Sequence, residues 1–139
     1  MHQGKANISV GLFTMAAFMA YGFLLIYLRD FAPGKEAWVA NYAVGTHFEA
    51  RLAHVHGNLF AFLNIVIGYL LWQLPVQATS ARWISRLALA GLLMPLGIVA
   101  EIALGAPPLF VLLGAVAMVG SVAWLGLAVA RLSRTSGPR

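Results

Sequence analysis

His47-Phe-Glu-Ala-Arg51-Leu-Ala-His54-Val-His56-Gly57-Asn58 leads without a break into Leu59-Phe-Ala-Phe-Leu-Asn64-Ile-Val-Ile-Gly68-Tyr-Leu-Leu-Trp72. The second stretch is apolar enough to cross a bilayer, and the first sets ionisable side chains at its entrance. Such groups are expensive in lipid and usually mark a site when they face the protein interior. At about 100° per residue, positions 47, 51, 54 and 58 share one side of a helix. Beside them run Ala50, Ala53, Gly57, Ala61, Asn64 and Gly68, a small-residue face of the kind that lets membrane helices approach closely. The opposite side, Phe48, Leu52, Val55, Leu59, Leu63 and Val66, is bulky and suits lipid. His54 and His56 diverge by about 200°, so a regular helix cannot present both to one metal. His54 borders the packing face; His47 and His56 read as interfacial.

Composition gives the same class. The 139 residues are 61% hydrophobic and 9% charged, with a mean hydropathy of +0.84, far from the pattern of a soluble domain. Further spans are expected at Ile8–Leu28, Ile84–Leu104 and Pro108–Ala130, with the span quoted above at Ala50–Leu74. The first is longer than a signal-peptide core and no A-x-A site closes it, so it reads as a retained helix. The expectation is a single all-α domain over 1–139, an integral membrane four-helix bundle in up-down-up-down order. No internal repeat or low-complexity stretch is visible.

Charge sets the orientation. Lys5, Arg82, Arg86, Arg131, Arg134 and Arg139 fall on one side, six of the nine positive residues, which makes both termini cytoplasmic by the positive-inside rule. The net charge of +5 is therefore topology, and nucleic acid is not an expected partner. Trp72 and Trp83 suit the inner interface. Outside, Pro33-Gly34 breaks the chain and Trp38 and Tyr42 predict a short surface helix over 35–44. Gly105-Ala-Pro-Pro108 is a tight turn with Pro placed to start the last helix.

Chemistry is confined to the outer leaflet. Glu101, one turn from the outer end of the third span, reaches a depth comparable with His54, where a carboxylate can accept a histidine N–H or exchange a proton. Tyr27, Arg29 and Asp30 end the first span on that side. Farther in there are only Thr14, Asn64, Tyr69 and Ser121, with no chain of titratable groups, which disfavours ion transport. With no cysteine, thiolate chemistry and disulfides are excluded. No Ser or Thr lies in a nucleophile motif. One interior histidine beside a glycine is the minimum equipment for axial ligation of haem, with Gly57 giving the macrocycle room and Arg51 meeting a propionate. Zinc needs three or four ligands, and His47 lies roughly 10 Å along the axis from His54.

The stretch Arg51-Leu-Ala-His-Val-His-Gly-Asn-Leu-Phe-Ala-Phe-Leu-Asn64 resembles the haem-histidine helix of the haem-copper oxidase catalytic subunit and of short four-helix membrane proteins related to it. It is similar, more loosely, to the small haem-containing styrene oxide isomerases, in size, helix number and an Ala-His opening helix two. The likeness covers residues 50–68. It implies haem b on His54, or as second choice on His56, with Gly57 and Arg51 at the cofactor and Glu101, Asn58 and Tyr27 lining a pocket for a small apolar substrate. It also implies the inner (cytoplasmic) membrane of a bacterium. Outside this stretch only His2 remains, so the copper site of an oxidase is missing and dioxygen reduction is not implied. Phe60 stands where the isomerase resemblance calls for asparagine, and Asn58 lies two residues early. Two readings follow: a haem protein whose iron acts as a Lewis acid in an isomerase, or a non-catalytic subunit. The latter would dock into a homo-oligomer or larger membrane complex through small-residue faces that include Gly114, Ala117 and Ser121.

Overall fold

The computed structural model describes residues 4–135. His2, the Arg134 side chain and Arg139 lie outside the described residues. The elements are α1 (Lys5–Asp30), α2 (Lys35–Ala40), α3 (Gly45–Gln73), α4 (Ala78–Gly91), α5 (Leu93–Leu104) and α6 (Leu109–Thr135). Four stretches are long and apolar enough to span a membrane: α1, α3, α4 with α5, and α6 through Leu132. Large apolar side chains such as Phe13, Phe23, Val116 and Leu127 stand exposed along them. A water-soluble surface does not carry so much contiguous apolar area, and the chain is an integral membrane protein.

The third span departs from expectation. It starts at Ala78, six residues before Ile84, and is broken at Leu92. Pro95 explains the break, because it has no N–H to offer the carbonyl four residues back and its ring crowds that carbonyl. Leu92 N–H turns instead to Leu89 O at 3.1 Å. Gly105, in the left-handed region at φ 64°, ends α5, and Pro108 O then accepts the Leu112 N–H at 3.1 Å. The surface helix stops at Ala40, short of residue 44, where the Asn41 side chain caps back onto Ala37 O at 3.0 Å.

Lipid removes most of the hydrophobic drive between helices, so close packing and hydrogen bonds must hold the bundle. The small face of α3 supplies the first. A Cβ added at Gly11 would lie 2.7 Å from Ala61 O, and one at Gly57 2.3 Å from the Phe18 ring, so α1 lies hard against α3 with the two helices running in opposite directions. Ala53 and Ala61 are fully buried in this seam. On the other side of α3, Phe60, Ile67 and Leu71 join Ile84, Ala88, Leu92, Met118 and Leu125 in the main apolar cluster. The layers thus run α1, α3, α4 with α5, then α6; α1 packs almost wholly on α3.

Hydrogen bonds supply the second. Asn7 and Asn64 are both completely buried, and Asn7 Nδ2 donates to Asn64 Oδ1 at 2.9 Å and to Ser85 O at 3.0 Å. Asn64 Nδ2 donates to Phe60 O at 3.0 Å and to Ala88 O at 2.8 Å, while Ser85 Oγ donates to Asn7 Oδ1. Every amide hydrogen in this clasp has an acceptor, the condition under which a buried polar network stabilises. It ties α1, α3 and α4 together. A further link, Ser121 Oγ to Ile84 O at 2.8 Å, joins α6 to α4. Ser121 and Gly114, read from sequence as docking residues, are therefore occupied within the chain: a Cβ at Gly114 would fall 2.1 Å from Met94 N.

Candidate functional site

His54 sits on α3 opposite Gly22 of α1. A Cβ at Gly22 would come within 2.7 Å of His54 Cε1, so the glycine is what lets the imidazole lie against α1. There the ring meets Phe18 O, 2.9 Å from Nδ1. A carbonyl can only accept, so Nδ1 carries the proton and Nε2 keeps its lone pair. Asn58 Nδ2 is 3.5 Å from the same Nδ1 and 2.9 Å from His54 O; the shorter bonds win, and the tautomer follows from that network. Nε2 has no hydrogen-bond partner among the described residues. Tyr21 lies beside the ring at 6.3 Å between centroids.

His54 and Asn58 open onto a groove of about 470 Å³ whose other walls are Met19, Gly22, Phe23, Leu25 and Ile26. Leu25 and Ile26 also wall a smaller hollow of about 160 Å³ toward the α2 end, lined by Arg29, Tyr42, His47 and Arg51. The pair forms a trough with the His54 imidazole in its apolar wall and the His47 imidazole with two guanidiniums at its polar end. Arg29 is bound to Asp30 at 2.8 Å. Arg51 makes no ion pair among the described residues; its guanidinium lies 3.6 Å above the Tyr42 ring and donates to Tyr42 O at 3.2 Å.

His47, read from its sequence position as interfacial, is covered by the protein itself. It is 4% exposed, because α2 folds back and stacks Trp38 on the imidazole at 4.4 Å, with Tyr42 edge-on at 5.3 Å. Its Nδ1 donates to Trp38 O. His56 is satisfied on its own helix, donating from Nδ1 to Leu52 O at 2.9 Å and lying edge-on to Phe60.

Of the residues expected at one site, the structure groups His54 with Asn58 and places Arg51 at the adjoining hollow. It does not bring in Gly57, whose open space is filled by the Phe18 ring. Tyr27 is 50% exposed and lines neither hollow. Glu101, half-buried on α5, makes no hydrogen bond or ion pair with His54, Arg51 or Asn58 among the described residues, since His54 turns toward α1 whereas α5 packs on α3 and α6. Among the described residues no three His, Cys, Asp or Glu side chains are grouped as a metal ion would need, which leaves zinc without a ligand set. Phe18, Tyr21 and Gly22 were missed from sequence, and Trp38 was read only as part of the surface helix and not as a neighbour of His47. The signal for two of them was available: Gly4, Asn7, Gly11, Phe18 and Gly22 recur at helical spacing and mark a face of α1.

No protein-family model, curated protein or solved structure matches this chain.

Proposed function

We propose that this chain is a haem b-binding membrane protein with His54 as the axial ligand. The observation that carries the reading is the state of that imidazole: Nδ1–H is held by Phe18 O at 2.9 Å and Nε2 is left with a free lone pair beside an apolar groove. Metal-ligating histidines characteristically donate their other ring N–H to a carbonyl, which fixes both tautomer and ring orientation. A single histidine suffices for haem. The groove walls suit a flat apolar ligand, and Arg51, with Arg29, would meet its carboxylates where the trough turns polar. Bound there, haem would supply a Lewis-acidic iron of the kind an epoxide isomerase uses. The chain's own part is to orient the imidazole through Phe18 O and Gly22, to keep water from the groove with Met19, Phe23 and Ile26, and to place the Asn58 amide beside the ligand. The distribution of Lys and Arg supports an up-down-up-down order with both termini cytoplasmic, in the inner membrane of a bacterium, so that the trough opens outward.

The visible spectrum of detergent-purified protein from haem-replete cells tests this. A Soret band is expected in the wild type and in His56→Ala, and its loss in His54→Ala; a colourless, folded wild type rejects the proposal. Gly22→Ala pushes a methyl into the imidazole and should weaken haem retention by about tenfold or more, the usual cost of disturbing the support of a ligand. Turnover of an aryl epoxide by the haem-loaded protein then separates an isomerase from a carrier.

A further inference from the structure

A cavity of about 650 Å³ lies at the far end from His54, between the Pro75–Gln77 turn and α6. Gln77, Ser80, Gly120, Trp124, Leu127 and Arg131 are among the residues that line it. Its volume lies within the range of ligand sites, and its wall is unequally built. One part is apolar. The other carries a guanidinium, a hydroxyl and an amide, and no carboxylate.

Gly120 gives the hollow room on the α6 side. Whereas Gly91 is compelled by Met118 at 2.7 Å, a Cβ at Gly120 would meet only Leu87 Cδ1 at 3.9 Å. No protein contact asks for its smallness; what it does is leave a slot beside Trp124. The charges are just as one-sided. The four acidic residues of the chain are Asp30, Glu36, Glu49 and Glu101, all toward the α2 end, whereas Lys5, Arg82, Arg86 and Arg131 are gathered at this one. Arg131 has no hydrogen bond or ion pair among the described residues, and Gln77, at the N-cap of α4, makes no side-chain cap bond.

We propose that this cavity binds an anionic phospholipid, its phosphate on Arg131, Gln77 and Ser80 and an acyl chain in the slot left by Gly120. Basic pockets between membrane helices recognise lipid headgroups in this way, and each cation near an anionic lipid contributes about fivefold in affinity. The occupant is a lipid and not a free phosphate, because the apolar slot is continuous with the polar rim.

Native mass spectrometry of the delipidated, detergent-solubilised full chain, titrated with dioleoyl phosphatidylglycerol or dioleoyl phosphatidylcholine, provides the test. The wild type should retain one phosphatidylglycerol with about fivefold or greater preference. Arg131→Gln should abolish the preference, and Arg82→Gln, outside the lining, should keep it. Gly120→Leu should fill the slot and remove both lipids, with an unchanged circular dichroism melt showing that the fold is intact. Equal retention of the two lipids by the wild type overturns the proposal. So does a Gly120→Leu protein that binds as before, or an Arg82→Gln loss as large as that of Arg131→Gln.

Discussion

Gly114→Val is expected to disrupt the bundle more than any other single change at a mid-span glycine. A Cβ there would lie 2.1 Å from Met94 N and 2.8 Å from both Leu93 C and Met94 Cα. These are main-chain atoms at the junction of α4 and α5, so no rotamer change relieves the clash; α6 must move away from α5. Overpacking a core typically costs about 1–3 kcal/mol, and a main-chain collision belongs at or above the top of that range, against a total stability of about 5–15 kcal/mol. Size-exclusion chromatography and thermal scanning in detergent should show an aggregated or strongly destabilised protein. Gly126→Val is the matched control, since nothing lies within 4 Å of a Cβ at Gly126. A Gly114→Val protein that melts with the wild type would mean that α5 and α6 do not meet through this glycine.

Asn64→Ala should be the next most damaging. It removes the acceptor of Asn7 Nδ2 and the donor to Ala88 O, two bonds that cross between helices, and leaves a void where water is not at hand to replace them. Interhelical hydrogen bonds in membranes average about 0.6 kcal/mol and reach about 1.7, so two bonds and a cavity amount to a loss of about 2–3 kcal/mol. Reversible unfolding in mixed micelles measures it. Ser121→Ala, which removes the single bond to Ile84 O, should lose much less. If both variants lose the same small amount, the bundle is held by close packing alone and the clasp is incidental.

The four spans and the packing face of α3 were legible because periodicity and hydropathy are properties of one helix at a time. Ala50, Ala53, Gly57, Ala61, Asn64 and Gly68 are all buried, as their spacing implied. What periodicity does not carry is the identity of the neighbour. It marked Gly57 as a place of close approach but not that Phe18 takes the space. Likewise, depth along a helix says nothing of azimuth, so the pairing of Glu101 with His54 did not follow. Asn7 precedes the apolar run as drawn from sequence, and the α3–α1 clasp was invisible with it. The burial of His47 depends on a six-residue helix folding back over it, a tertiary event that no local pattern encodes. Of the three histidines in the quoted stretch, His56 is satisfied on its own helix, His47 lines the smaller hollow under Trp38, and His54 lines the larger groove with Nδ1 held by Phe18 O.

The layered order of the helices bears on how the protein is made. Because α1 rests almost wholly on α3, and α6 on α4 and α5, each span finds its main partner in the span next to it in synthesis. The chain can enter the membrane as two successive hairpins, the first complete once Gln73 has been added, with the Asn7, Asn64 and Ser85 clasp closing only when the second begins to insert. Contacts of low sequence separation also favour fast assembly, and no span is left waiting in lipid for its main partner more than one span away.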